Sequence, residues 1–200
     1  MKFILASNSP RRQELLRGLG IDFEVRTLPG VDETYPPELH EADIPLYIAR
    51  RKADAYRSRL AADELMITAD TVVCLDGQVL GKPHDADEAR HMLHLLSART
   101  HHVYTGVCLT TTDRQRAFVA DTEVRFTTLT DDEINHYVDH YHPLDKAGAY
   151  GVQEWIGYIG VEHISGSYFN VMGLPVQRLY RELRNFLKEV VSDCQTVRCK

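Results

Sequence analysis

The feature that most constrains the fold of this 200-residue chain is a run of apolar residues, Leu65–Leu75. The run is nearly continuous and rich in β-branched residues, which is typical of a strand buried on both faces in the centre of a sheet. One carboxylate, Asp70, interrupts it. Because a carboxylate is costly to bury without partners, Asp70 is expected to lie at a cleft, bind a metal ion, pair with a cation, or accept backbone hydrogen bonds at a strand end.

A hairpin signal follows this strand and predicts a neighbour for Asp70. Asp76-Gly77 is a typical two-residue turn between antiparallel strands. The register that such a turn sets pairs Thr71 with Lys82 and places Asp70 one position farther along. The ammonium of Lys82 is therefore predicted to lie beside the Asp70 carboxylate without any assumption about tertiary structure.

Around this hairpin the chain alternates strands with helices, and further hairpins interrupt the alternation. This arrangement favours a mixed sheet over a fully parallel one. Ser9, Asp43, Asp85 and Thr130 are the predicted caps of four of the helices. The helix capped by Ser9 starts at Pro10, the helix capped by Asp43 ends near Leu60, and the last helix runs from about Pro175 to Val191. The predicted strands are Lys2–Ala6, Asp22–Val25, Leu65–Leu75, Gln78–Leu80, Val103–Thr111 and Phe118–Thr127, and a glycine-rich segment with strand character spans Lys146–Ile164.

The composition is that of an ordinary globular protein, with 44% hydrophobic and 26% charged residues. The length suits one α/β domain, or one domain split into two lobes. A formal net charge of −6 gives no general attraction to nucleic acid or to an anionic membrane, so neither is an expected partner. No stretch approaches the roughly 20 apolar residues of a membrane span, and the apolar run after Lys2 is too short for a signal peptide. A cytoplasmic location is therefore expected.

The segment Ser7–Arg12 is a candidate anion site, because it joins a predicted strand end to a helix start. Free backbone N–H groups at a helix start favour an anion. Arg11 and Arg12 fall in the first helical turn, where each positive charge costs roughly 0.3–1 kcal/mol against the helix dipole. A bound phosphate would reverse that cost. The alternative is a surface helix start with two solvated arginines.

Two further charged residues could belong to the same site. Lys52 lies on the apolar side of its predicted helix, with Ala49 and Ala53; a lysine there usually buries its stem and extends its ammonium to water. Glu33, in the proline-rich loop 28–45, is a carboxylate that could complete a metal site. A phosphate-binding turn, two lysines and paired carboxylates suit phosphate chemistry with a hard divalent ion.

Several common enzyme classes are disfavoured by the motifs. The sequence contains no GxxxxGK[ST] loop, no GxGxxG fingerprint and no HExxH motif, and a P-loop NTPase or a Rossmann dehydrogenase is therefore disfavoured. Ser7 and Ser9 have no evident histidine partner, so acyl transfer is disfavoured as well.

The motifs, taken in order, resemble those of the Maf family of nucleotide pyrophosphatases over about residues 3–190. The resemblance implies a two-lobed α/β fold like that of inosine triphosphatase, with a bent mixed β-sheet flanked by helices and an active-site cleft. It also implies a single domain over residues 1–191 and a homodimer. The polar tail, 192–200, matches nothing in the family and is expected to be disordered. The matching motifs are LASNSPRR (5–12), Asp32-Glu33, ARRKA (49–53), TADTVV (68–73), GKP (81–83), YTGV (104–107) and DKAGAYGVQ (145–153).

The resemblance further implies hydrolysis between the α- and β-phosphates of a nucleoside triphosphate, giving the monophosphate and pyrophosphate. Asp70 matches the proton acceptor that activates water. Glu33 and Asp70 would share a divalent cation, Mg²⁺ or Mn²⁺. The positions that match the phosphate side of the site are Ser7, Arg11, Arg12, Lys52 and Lys82, of which the two lysines are also catalytic candidates.

Three positions suggest the base. Arg12, Thr71 and Gln153 resemble the dTTP/UTP type of the family rather than the 7-methyl-GTP type. A carboxamide can offer both a donor and an acceptor to the edge of uracil or thymine. The Glu154-Trp155 pair that follows stands where a glycine is common. The predicted function is hydrolysis of dTTP and UTP to clear the nucleotide pool, with modified pyrimidine nucleotides left open; the alternative is a nucleotide-binding regulator of septum formation without significant turnover.

Overall fold

The computed structural model describes residues 1–197 of the chain, with side chains through residue 190. This part of the chain contains seven strands and seven α-helices. The strands are β1 (Lys2–Leu5), β2 (Phe23–Val25), β3 (Glu64–Leu75), β4 (Gln78–Leu80), β5 (Thr100–Thr110), β6 (Gln115–Phe126) and β7 (Val161–Ser165). The helices are α1 (Pro10–Gly18), α2 (Asp43–Arg57), α3 (Ala86–Leu96), α4 (Asp131–Tyr141), α5 (Trp155–Gly160), α6 (Tyr168–Val171) and α7 (Val176–Val197), and a short 3₁₀ turn covers Ala147–Ala149.

All seven strands form one sheet in the order β2-β1-β3-β5-β6-β7, with β4 paired to β3. β2, β1 and β3 run parallel to one another, whereas β3, β5, β6 and β7 are joined as antiparallel neighbours. The prediction of a mixed α/β sheet flanked by helices is confirmed. β3, the strand predicted to be central, connects the parallel part to the antiparallel part.

One edge of β3 is interrupted at its middle. The edge that faces β5 is paired continuously over residues 66–74. The other edge pairs with β1 over residues 64–67 and with β4 over residues 73–75. Between these two ladders, no described strand pairs with residues 68–72 on this second edge, so the sheet is open there beside Asp70 and Thr71.

Helices cover both faces of β3 and divide the core on one of them. α2 packs on the face that carries Asp70, where Ile48 and Val72 share an apolar cluster. On the opposite face, the first half of β3 shares a cluster with α1 and α7, and the second half shares one with α3 and α4. Thr71 lies on this opposite face between the two clusters, because neighbouring residues of a strand point to opposite faces.

Gly106 brings α2 close to the sheet beside Asp70. It lies opposite Asp70 in the β3–β5 ladder. A Cβ atom at this position would lie 2.3 Å from the Pro45 carbonyl oxygen, so only glycine allows this approach. One turn farther along α2, the Ala49 carbonyl accepts a hydrogen bond of 2.7 Å from the Thr68 hydroxyl. These contacts fix the height of α2 above β3.

Three predictions from the sequence need correction. Asp43 does not cap α2: it is the first residue of the helix, Ala42 is at the N-cap, and no side chain caps this end. Most of the segment Lys146–Ile164 is not a strand: it forms the 3₁₀ turn and α5, and only its end belongs to β7. Gly148 has φ of +67°, and a Cβ at Gly157 would lie 1.9 Å from the Val152 carbonyl oxygen, so these glycines serve turns rather than an extended strand.

The last helix also differs from its prediction. α7 continues past residue 191 to Val197, because the added residues include no proline or glycine that would end it. It takes in most of the segment predicted to be a tail, and residues 198–200 lie outside the described residues. None of the helices in residues 1–197 combines the length and the apolar character that a membrane span requires.

We expect Gly106→Ala to lower the free energy of unfolding by about 1–3 kcal/mol, because the added methyl group forces α2 away from β5. Urea denaturation measures the change. Gly18→Ala is the matched control, since a Cβ there meets no atom within 4 Å. Equal unfolding midpoints for Gly106→Ala and the wild type would contradict this account of how α2 is placed.

Candidate active site

A cleft of about 360 Å³ opens at the interrupted edge of β3. A groove of about 440 Å³ extends it along the turn between β1 and α1. The open edge of the sheet, the start of α1 and the segment after α4 meet here. The polar side chains that line the cleft are Ser9, Arg11, Arg12, Glu33, Lys52, Asp70, Thr71, Lys82, Asp145, Lys146 and Gln153, and Ser7 borders the groove.

Asp70 pairs with a cation, one of the alternatives that the sequence left open. The Lys52 ammonium lies 2.8 Å from Asp70 Oδ1 and 3.0 Å from Glu33 Oε1. The side chains of Lys52 and Asp70 are only 14% and 13% exposed, whereas that of Glu33 is 53% exposed. α2 thus places Lys52 between two carboxylates. Lys52 lies on the apolar side of the helix, as the sequence predicted.

Lys82 lies in the cleft, but not through the register predicted from the hairpin. The β3–β4 ladder ends at Leu80, and the Gly81 carbonyl accepts a hydrogen bond of 3.0 Å from the Gly148 N–H. The predicted pairing of Lys82 with Thr71 is therefore wrong, because the chain turns away from β3 at the glycine. Among residues 1–190, no carboxylate forms an ion pair with Lys82.

The turn before α1 is ordered by its own serines. The Ser9 hydroxyl caps the helix by accepting a hydrogen bond of 3.4 Å from the Arg12 N–H, as predicted. The buried Ser7 hydroxyl accepts one of 3.3 Å from the Ser9 N–H. Arg11 forms an ion pair of 2.9 Å with Asp145. A protein carboxylate therefore offsets part of the cost of a positive charge at this helix start.

Arg12 is held by protein acceptors. Its Nε donates to the Gly173 carbonyl at 2.8 Å, its Nη1 to the Ala69 carbonyl at 2.9 Å and its Nη2 to the Thr71 hydroxyl at 3.0 Å. Burial lowers the pKa of the guanidinium, and the charge of Asp70 opposes that shift. Arg12 thus satisfies a backbone carbonyl on the open edge of β3 and joins α1 to that strand.

Thr71 and Gln153 form a polar end of the cleft on the face opposite Asp70. The Thr71 hydroxyl contacts both Arg12 and the Thr105 hydroxyl, the latter at 3.0 Å. Gln153 Oε1 is buried, and within the described residues no hydrogen-bond donor reaches it. Because an unpaired buried acceptor is costly, this oxygen is a candidate contact for a ligand. The cleft contains all three positions that suggested the base.

The sequence did not predict a functional role for four residues in or beside the cleft: Tyr137, Asp145, Lys146 and Glu154. Lys146 is only 8% exposed and lies between Asp145 and Glu154, at 2.7 and 3.1 Å. Tyr137, which donates to Glu154, is fully buried. The motif DKAGAYGVQ contains Asp145 and Lys146 and could have indicated them. Tyr137 had no such signal, since its position on α4 is that of an ordinary core residue.

The cleft is positively charged although the chain is acidic overall. Five cationic side chains line it, against three carboxylates, Glu33, Asp70 and Asp145. The net charge of the whole chain is −6. A local excess of cations beside a helix start is suited to a polyanionic ligand such as a phosphate chain.

Comparison with known proteins agrees with this chemistry. A sequence model of the family described as "Maf-like protein" matches residues 2–186. The chain is 66% identical over 183 residues to a dTTP/UTP pyrophosphatase of Phocaeicola vulgatus, covering 92% of this chain and 95% of the relative. It is 62% identical over 183 residues, with the same coverage, to a dTTP/UTP pyrophosphatase of Bacteroides thetaiotaomicron. Among solved structures, the Ham1 protein of Staphylococcus aureus aligns with a TM-score of 0.46 and 16% identity, over 63% of this chain and 72% of that one.

Proposed function

The chain belongs to the family of Maf-like proteins, and on that premise we propose that it hydrolyses dTTP and UTP to the monophosphate and pyrophosphate. The observation that carries the proposal is the largely buried pair of Asp70 and Lys52 inside a positively charged cleft. Relatives that cover nearly all of the chain are dTTP/UTP pyrophosphatases. A role in clearing the nucleotide pool follows from such an activity. The homodimer and the cytoplasmic location stay predictions.

The base would occupy the end of the cleft that contains Thr71 and Gln153. Uracil and thymine present an N–H donor between two carbonyl acceptors. The unpaired Gln153 Oε1 could accept from that N–H, while its amide nitrogen donates to a carbonyl. Cytosine presents a ring acceptor where uracil has the donor. This difference supports a preference for dTTP and UTP over CTP.

The triphosphate would extend from this end across Asp70 toward the turn at Ser7. In this placement Asp70 takes a proton from the water that attacks between the α- and β-phosphates. Lys52 and Lys82 would stabilise the negative charge that develops on the phosphate oxygens. Arg11 would contact the phosphates from the helix start, and Arg12 would act by holding Thr71 and the open edge of β3 in place.

The residues at the centre of the cleft suit a divalent cation. Glu33 and Asp70 both direct a carboxylate oxygen at the same point, which Lys52 Nζ occupies. Carboxylate oxygens are the ligands that Mg²⁺ and Mn²⁺ prefer. The described residues contain no cluster of three or more His, Cys, Asp or Glu that could hold a metal, so substrate phosphates and water would supply the remaining ligands. A bound cation would neutralise charge on the phosphates, and Glu33 and Asp70 are the side chains that we propose to hold it.

A nucleotide panel tests the function directly. We expect the purified protein, with Mg²⁺ or Mn²⁺, to convert dTTP and UTP to the monophosphates and pyrophosphate, and to convert CTP and 7-methyl-GTP much more slowly. Chromatography of the nucleotides together with a pyrophosphate assay identifies the products. Tight binding of dTTP without turnover would contradict the proposal and favour the nucleotide-binding regulator. Release of inorganic phosphate instead of pyrophosphate would contradict the cleavage position.

Asp70→Asn tests the proton acceptor. We expect kcat to fall by about 10²–10⁴-fold, because the carboxamide cannot take a proton from water. Binding of dTTP, measured by calorimetry, should change little. Asp121→Asn, which removes an exposed carboxylate paired with His102, is the matched control. Retention of most of the wild-type kcat in Asp70→Asn would rule out this role for Asp70.

Lys52 and the cation are expected to compete for the same two carboxylates. Lys52→Met should therefore bind Mn²⁺ about tenfold more tightly than the wild type in the absence of nucleotide, equivalent to about 1.4 kcal/mol. Electron paramagnetic resonance of free Mn²⁺ measures the affinity. Lys2→Met is the control, because Lys2 is 74% exposed on the opposite end of β1. Weaker Mn²⁺ binding in Lys52→Met would show that the cation does not use these carboxylates.

A further inference from the structure

An ionic network around the buried side chain of Lys146 reaches the turn that carries Gln153, at the proposed base end of the cleft. Lys146 makes ion pairs with Asp145 and Glu154 at 2.7 and 3.1 Å, although its side chain is only 8% exposed. The second carboxylate oxygen of Glu154 accepts a hydrogen bond from the Tyr137 hydroxyl. Asp145 continues the network to Arg11 at the start of α1. Charged groups thus connect the phosphate end of the cleft to its base end.

Tyr137 links this network to the turn that carries Gln153. Its hydroxyl accepts a hydrogen bond of 3.0 Å from the Gly151 N–H. The Gly151 carbonyl accepts one of 2.9 Å from the Glu154 N–H. Both backbone polar groups of Gly151 are therefore bound, and through them the backbone on either side of Gln153 is fixed.

The packing of the turn leaves little room for movement. A Cβ atom at Gly151 would lie 2.8 Å from Glu154 Cδ and 3.1 Å from Gln153 Nε2. The Glu154 carboxyl group and the Gln153 carboxamide therefore both lie against the same glycine. Burial, and then the hydrogen bond to Glu154, raise the pKa of Tyr137, so its hydroxyl stays a donor to the carboxylate.

Stability alone is a weak reason for such a network. Burying an ion pair costs desolvation free energy that the pair often fails to recover, and apolar replacements are frequently as stable. Leucine or phenylalanine at the positions of Lys146, Glu154 and Tyr137 could supply the same apolar contacts. The ionic network does supply a fixed backbone for Gln153, which among residues 1–190 is the one side chain lining the cleft with an unpaired buried acceptor.

We propose that Glu154 is a positioning residue that sets the choice of base: through Tyr137 and Gly151 it holds Gln153 in the orientation that discriminates uracil and thymine from cytosine. A carboxamide discriminates between these bases only when it is held in one place, because its donor and acceptor can exchange positions by rotation. This inference rests on the proposed pyrophosphatase activity and adds a determinant of its specificity that does not contact the reacting phosphates.

The test compares Glu154→Gln and Tyr137→Phe with the wild type in steady-state kinetics on dTTP, UTP and CTP. Glu154→Gln keeps the shape of the side chain and removes its charge, and Tyr137→Phe keeps the ring and removes the hydroxyl. In both variants we expect KM for dTTP and UTP to rise about tenfold, since the hydrogen bond between Tyr137 and the charged Glu154 loses its charge in one variant and is absent in the other. We expect kcat to change by less than about twofold, because an interaction common to bound substrate and transition state is lost. The ratio of kcat/KM for dTTP to that for CTP should fall.

Glu162→Gln is the control, since Glu162 is an exposed acid paired with Arg125 on β7 and β6. Unchanged KM and an unchanged ratio of dTTP to CTP in both network variants would overturn the inference. So would a uniform loss of activity on all three nucleotides with a lowered melting temperature, which a merely structural role predicts. Absence of dTTP hydrolysis in the wild type would instead refute the proposed function, so the two failures are distinguishable.

Discussion

The interruption on one edge of β3 is the constraint on which the rest of the site depends. β1 ends at Leu5 and β4 begins to pair only at Val73, so within residues 1–197 no strand neighbours the middle of β3 on that edge. Backbone groups left open in this way must find other partners. Arg12 supplies one for the Ala69 carbonyl, and in doing so it ties the first helix to the strand. The cleft occupies the remaining space at this edge.

The open edge also allows one cavity to use both faces of a strand. Asp70 and Thr71 are neighbours and therefore point to opposite faces of the sheet. In a sheet paired on both edges, such side chains would lie in different layers. Here Asp70 meets Lys52 under α2, Thr71 meets Arg12 between the two core clusters, and both line the same cleft. Asp70, proposed to act in the chemical step, and Thr71, proposed to lie beside the base, are thus adjacent in sequence but lie on opposite faces of one strand.

Local patterns predicted the elements of this site better than its contacts. Asp70 was detectable because a carboxylate in an apolar strand conflicts with burial, and the caps at Ser9 and Thr130 follow from short-range hydrogen bonding. The partner of Asp70 was not predictable, because Lys52 reaches it only where Gly106 admits α2, a contact between distant parts of the chain. The predicted pairing of Lys82 with Thr71 was wrong because the β3–β4 ladder ends at Leu80, where the chain turns away at Gly81. The turn sequence Asp76-Gly77 sets the register of a hairpin but not its length.

The contacts in the cleft suggest that a polyanion enters by exchange of ion pairs. Lys52 is held between Glu33 and Asp70, and Lys146 between Asp145 and Glu154. Each lysine thus has one exposed carboxylate partner and one less exposed one. In the proposed function, a phosphate would replace the exposed partner at small cost, because an exposed ion pair is worth little. Before substrate and cation bind, the less exposed partner keeps the ammonium in position, so the positive charge is preorganised.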